Sequence, residues 1–232
     1  MTRRFRSAWG LFPLLVLLLL TAACEKPLPV QIAAGNENIS GIFWPTGKDL
    51  SPAVLLIRPE GGAEEDWQSL ATKLHKAGLS VLTFDLREQG RLGSLGRAEA
   101  VRDVRAAFAF LRLQKGVDAA RIGMVGAGRS ADAAFLFAAE DPLVQTAVLL
   151  APEWQWKVPS IESVLKDYGH RPLLVLTAEG DGASIETVTK ALQQAMGEPV
   201  LKPYAGKTSV SSLLRVGQSD VVSFLRSNLQ VR

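Results

Sequence analysis

The strongest constraint in this chain is an alternation. Short apolar runs bounded by turn residues take turns with longer segments whose apolar residues recur at helical spacing. Residues 30–33 and 39–43 read as an opening hairpin, and 54–57, 81–84, 122–125, 147–150, 173–177 and 200–204 read as buried strands. Between them, Trp67, Leu70, Ala71 and Leu74 form one stripe and Val101, Val104, Phe108 and Leu111 another. Further helices are expected over 130–140, 185–196 and 220–229. Strands this uniformly apolar need cover on both faces, which parallel strands joined by crossover helices provide. The expected fold is α/β: a mostly parallel sheet of about eight strands, helices on both faces and no large lid domain.

The first residues belong to something else. Arg3, Arg4 and Arg6 precede a short apolar run from Leu11 to Leu20, which is followed by Thr21-Ala22-Ala23-Cys24. A basic start, a short apolar centre and small residues before a cleavage point make an export signal. The run is too short, and interrupted by Pro13, to cross a bilayer. Cys24 after Ala22-Ala23 resembles a lipobox, with Thr21 where Leu is preferred and Leu20 one step further back. The resemblance implies a signal peptide over 1–23, palmitate-type acylation of Cys24, a lipidated tether over 24–29 and a folded domain over 30–232. Several acyl chains on one residue give stable anchoring, so the expected place is the bacterial cell envelope, on the outer or the inner membrane.

Cys24 is the single cysteine, so no internal disulfide and no cysteine-based metal site can form. The formal charge of +3 disappears once the three signal arginines leave, and a neutral domain argues against a nucleic-acid partner. The chain has neither a Gly-x-x-x-x-Gly-Lys phosphate loop, nor a Gly-x-Gly-x-x-Gly turn after the first strand, nor two histidines at metal-ligand spacing. No cofactor and no metal is implied.

In an open parallel sheet, chemistry collects in the loops after the carboxyl ends of the strands. Those loops carry the informative residues. Residues 53–57 with Gly61-Gly62 and Trp67, then Asp85-Leu86-Arg87 and Gly90, resemble the third and fourth strands of an α/β-hydrolase. The run Arg121-Ile122-Gly123-Met124-Val125-Gly126-Ala127 resembles the approach to the nucleophile turn in the dienelactone hydrolase-like and serine aminopeptidase-like branches. Leu149-Leu150-Ala151-Pro152 and Glu179-Gly180-Asp181 fit the strands that follow.

The family places its serine in Gly-x-Ser-x-Gly on a sharp strand-to-helix turn. Here the aligned residues are Gly126-Ala127-Gly128-Arg129-Ser130, so the nucleophile position is Gly128. Asp181 stands where the resemblance puts the acid, and Ser209 where it puts the histidine. After the third strand Arg58-Pro59 replaces the family's His-Gly, and proline offers no N–H. His75 and His170 each precede a strand, which places them near the amino ends, about 20 Å from the carboxyl edge at 3.3 Å per residue. A hydroxyl without a neighbouring base is a poor nucleophile at neutral pH.

These residues imply a membrane-tethered α/β-hydrolase-like domain without a working triad, binding a small polar or anionic ligand or an envelope protein. Arg58, Glu60, Arg129, Ser130, Trp154 and Asp181 are the ligand-binding candidates. Arg58 could instead pair internally with Glu60 or Asp181, Ser130 could be a helix N-cap, and Trp154 could be a buried lid residue or an interface anchor. The alternative is a weak or atypical serine hydrolase or esterase using Ser130, or one in which carboxylates such as Asp181 and Glu60 act on a water.

Overall fold

The computed structural model describes residues 26–58, 64–86, 96–154, 159–180, 182–206 and 209–229. Cys24, Glu60, Arg87 and Asp181 lie outside them. The elements in chain order are β1 (Leu28–Ala34), β2 (Glu37–Trp44), β3 (Ser51–Arg58), α1 (Glu64–Lys76), β4 (Ser80–Asp85), α2 (Arg97–Arg112) and β5 (Val117–Ala127). There follow α3 (Arg129–Glu140), β6 (Val144–Leu150), α4 (Ile161–Tyr168), β7 (Leu173–Ala178), α5 (Gly182–Leu192), β8 (Val200–Tyr204) and α6 (Val210–Leu229).

All eight strands join one sheet in the order β1-β2-β4-β3-β5-β6-β7-β8. β1 and β2 form the expected antiparallel hairpin, β2 lies antiparallel to β4, and β3 to β8 run parallel. This is the α/β architecture that the alternation implied. β1 begins at Leu28, inside the segment assigned to the tether, because Leu28 and Pro29 already pair with Phe43 and Ile42.

The period of two along each strand divides the core. On β3, Ala53, Leu55 and Ile57 face one apolar cluster, while Val54 and Leu56 face the other. The first is covered by α2, α3, α4 and α5, with Val104, Phe108, Phe135 and Phe137 fully or nearly fully buried. The second is covered by α1 and α6 through Trp67, Leu70, Leu74, Leu213, Val221 and Leu225. Each large aliphatic or aromatic side chain removed from water stabilises the fold by about 1.5–3 kcal/mol.

Three helices differ from expectation. α4 was not anticipated: it is short, capped by the Ser160 hydroxyl accepting from Ser163 N–H, and buries Val164, Leu165 and Tyr168. α6 starts at Val210 rather than 220, running through Gly217, where a Cβ would collide with the Leu176 side chain of β7. That glycine is a close-packing point and not a break. α5 begins at Gly182 and ends at Leu192, earlier at both ends than read from sequence.

β8 closes the sheet. It carries Pro203 in its span, its Lys202 Nζ bonds Asp220 Oδ1 of α6 at 2.7 Å, and the Tyr204 hydroxyl donates to the same carboxylate. No helix among the described residues is long and apolar enough to cross a membrane.

Candidate functional site

β5 passes into α3 through a single residue. Gly128 has φ 55° and ψ −129° and occupies the N-cap position. L-residues rarely adopt that backbone, and it turns the chain sharply from strand to helix at the carboxyl edge of the sheet. Its N–H bonds Leu150 O at 2.9 Å, and its carbonyl accepts from Ala131 N–H at 3.0 Å. The apex is thus anchored to β6 on one side and to the first turn of α3 on the other.

Gly126, two residues earlier, makes the turn possible. A Cβ there would lie 2.5 Å from Ser130 O and 2.7 Å from Ala131 Cα, so the helix can fold back over the strand only onto a glycine. A Cβ at Gly128 would meet nothing nearer than the Glu153 carboxylate at 3.4 Å. The apex has room for a side chain and lacks one.

Ser130 does not supply the missing oxygen. It is 1% exposed, and its hydroxyl accepts from Ala127 N–H at 3.0 Å and lies 2.8 Å from the carbonyls of Ile57 and Ala127. It points into the sheet and ties α3 to β3 and β5. Nor is it the N-cap, a position that falls to Gly128.

Ser209 caps α6: its Oγ accepts from Ser212 N–H at 3.3 Å and contacts the Ser212 hydroxyl at 3.1 Å. His75 ends α1 just before β4, tilted against Trp44 with ring centroids 6.3 Å apart, and burial pushes its pKa below the ordinary 6.5. His170 immediately precedes β7. Because β3 to β8 are parallel, both imidazoles belong to the edge opposite the Gly128 turn.

The cations at the mouth divide. Arg58 is committed: its Nε and Nη2 donate to both oxygens of Asp85 at 2.5 Å, and Nη1 lies 3.5 Å from Glu64. Asp85 is a partner because β3 and β4 are in parallel register and Arg58 stands directly opposite it; the expected pairing with Glu60 or Asp181 lies outside the described residues. Arg129 lies in the open beside Glu153, with Nε 3.7 Å from Oε2. At that separation an exposed pair is weak.

The loop after β6 is strained, with Ala151 at φ 43° and Trp154 at φ 45°. It leads Trp154 into a cleft between α3 and α4, enclosing about 280 Å³ with its open mouth, whose walls include Phe135, Leu136, Ile161 and Val164 with Asp132 at the rim of α3. The Trp154 indole Nε1 is buried there without a hydrogen-bond partner among the described residues. Asp132 was not among the residues picked out from sequence. The structure therefore brings together Gly128, Arg129 and Glu153, places Trp154 in the neighbouring cleft, and engages Ser130 with backbone groups, Ser209 with the start of α6 and Arg58 with Asp85. Among the described residues no three histidine, cysteine or carboxylate side chains are grouped as a metal site would need.

No protein-family model matches the chain. An uncharacterized protein of Mycobacterium tuberculosis, in strains CDC 1551 / Oshkosh and ATCC 25618 / H37Rv, is 31% identical over 184 residues, covering 70% of this chain. The chain spans 64% of the length of those relatives. Among solved structures, dienelactone hydrolase from Anabaena variabilis superimposes with a TM-score of 0.74 at 20% identity, over 88% of this chain and 99% of the other. Est1E from Butyrivibrio proteoclasticus gives 0.73 at 13% identity, over 86% and 98%. The carboxylesterase EstE1 from a metagenomic library gives 0.71 at 20% identity, over 91% and 92%. With its eight-stranded sheet and its sharp turn from β5 into α3, the chain has the α/β-hydrolase fold.

Proposed function

We propose that this α/β-hydrolase-like protein is an exported lipoprotein that performs no covalent catalysis and binds a ligand or an envelope partner at its carboxyl edge. The observation that carries the reading is the apex residue: a glycine holds the nucleophile's backbone pose and has no atom with which to attack a carbonyl. Two further facts support it. The serine next in sequence is held by three backbone groups, and both histidines of the folded domain precede strands. Esterases share this fold, but a triad of their kind would need an imidazole beside the turn, and the two histidines of the folded domain stand at the other ends of the strands.

Arg129 is the cation best placed for an anionic or polar ligand. It opens the first turn of α3, where helix N–H groups also favour negative charge, and its hold on Glu153 is loose. Acylation of Cys24 would fix the domain to the membrane, since none of its described helices can span one.

The decisive experiment is paired. The purified full chain is expected not to turn over p-nitrophenyl esters and not to react with a fluorophosphonate probe. Probe labelling that disappears in Ser130→Ala would restore the hydrolase reading. Palmitate-analogue labelling of the wild type, lost in Cys24→Ser, checks the anchor separately.

A further inference from the structure

We infer that the cleft between α3 and α4 is a binding site for a small apolar α-amino acid in its zwitterionic form. This rests on the reading of the carboxyl edge as non-catalytic and ligand-binding, and it names the ligand.

The cleft opens where α3 and α4 begin, at the carboxyl edge, because each helix follows a parallel strand. Its apolar walls are Phe135 and Leu136 from α3, Ile161 and Val164 from α4, and Trp154 from the loop after β6. The walls are held in place. The Phe135 ring packs against Tyr168 with centroids 5.2 Å apart, and the Tyr168 hydroxyl donates to Pro172 O at 2.7 Å. Trp154 is kept at φ 45°, and backbone strain of that kind clusters at ligand clamps. Pockets for drug-sized molecules run from about 300 to 1,000 Å³. A cleft of about 280 Å³, mouth included, takes something smaller.

Two polar groups interrupt the apolar lining. Asp132 is a carboxylate only 4% exposed. A carboxylate so placed favours a cation and repels a second anion. Asp132 already has an interaction within the chain, but a carboxylate offers about four acceptor positions, so a ligand ammonium can join it. The other group is the Nε1–H of Trp154, buried with no acceptor among the described residues. An indole nitrogen only donates, so it selects an occupant that brings an acceptor oxygen.

Arg129 adds a cation beside the mouth. It stands one helical turn before Asp132, and Phe135 and Leu136 stand one turn after, so one face of α3 reads cation, carboxylate, apolar wall. Its contact with Glu153 at 3.7 Å engages Nε, and the remaining guanidinium donors can take a carboxylate from solvent. An apolar α-amino acid carries the complementary order: carboxylate for Arg129 and the indole N–H, ammonium for Asp132, side chain for the cleft. A fatty acid would set its only charge against Asp132. A simple amine would leave the arginine and the indole unanswered.

The test is calorimetric titration of the purified full chain with leucine, glycine, 4-methylpentanoate and leucinamide. Glycine lacks the apolar side chain, 4-methylpentanoate the ammonium, and leucinamide the carboxylate charge. Leucine is expected to bind with Kd below about 1 mM, and each of the other three at least about tenfold more weakly. Leucine that fails to bind, or an analogue that binds as well, would overturn the assignment. Arg129→Gln, at an exposed position, should erase the preference for leucine over leucinamide, and Asp132→Asn the preference over 4-methylpentanoate. Unchanged preferences in folded variants would overturn it equally. Should Asp132→Asn prove unfolded by its urea midpoint, the wild-type series and Arg129→Gln decide. Fluorophosphonate labelling of the same preparation separates the two levels. Labelling sinks the non-catalytic reading whatever leucine does, whereas an unlabelled protein that ignores leucine loses the amino-acid assignment alone.

Discussion

Gly126 and Gly128 are two residues apart in one turn, and they are glycines for different reasons. Gly126 is demanded by packing, since a Cβ would sit inside the backbone of α3. Gly128 is favoured by its backbone angle, while the space around it would admit a side chain. The strand side of the turn is therefore scaffold, kept for the fold's sake, and the apex is the part that chemistry can occupy or vacate.

The largest effect that would sharpen this contrast is expected from Gly126→Ala. Pushing α3 off β5 should cost at least about 3 kcal/mol, at the upper end of overpacking penalties, read as a shifted urea midpoint. A near-neutral result would break the distinction between scaffold and apex. Ser130→Ala should cost about 1–3 kcal/mol, because a buried hydroxyl and its N–H and carbonyl partners lose their bonds, again measured by urea unfolding.

Gly128→Ser should cost about 1–2 kcal/mol for the left-handed backbone and confer no ester turnover, since no imidazole stands beside the new hydroxyl. Hydrolysis in that variant would show a base hidden near the apex. Ser209→Ala should cost about 1 kcal/mol by loss of the α6 cap. An effect on ligand binding with no change in stability would move Ser209 from helix end to site.

Much of this was legible from residues alone. The eight apolar runs each became a strand, because side chains buried on both faces leave an unbroken signature, as in Ala53-Val54-Leu55-Leu56-Ile57. The place of Gly128 was legible too, since a glycine after a buried strand and before a helical stripe can be located by its neighbours. What escaped was short or set by tertiary contact. α4 has only eight residues, too few for a periodic signal. The start of α6 was hidden by Gly217, whose reason is a leucine on another strand. Arg58 pairs across the β3/β4 register, and neither residue announces the other in sequence. The fate of Ser130 depended on rotation about the helix axis by a fraction of a turn, beyond what spacing alone resolves.

The last strand of the sheet has a consequence of its own. An open margin offers unpaired backbone groups to any neighbour, and β8 blunts that offer with a proline that cannot donate and a lysine drawn across to α6. Molecules held at a membrane, as proposed for this chain through Cys24, meet far more often than in free solution. A margin that refuses to zip against its twin would let such a population stay dispersed rather than polymerise.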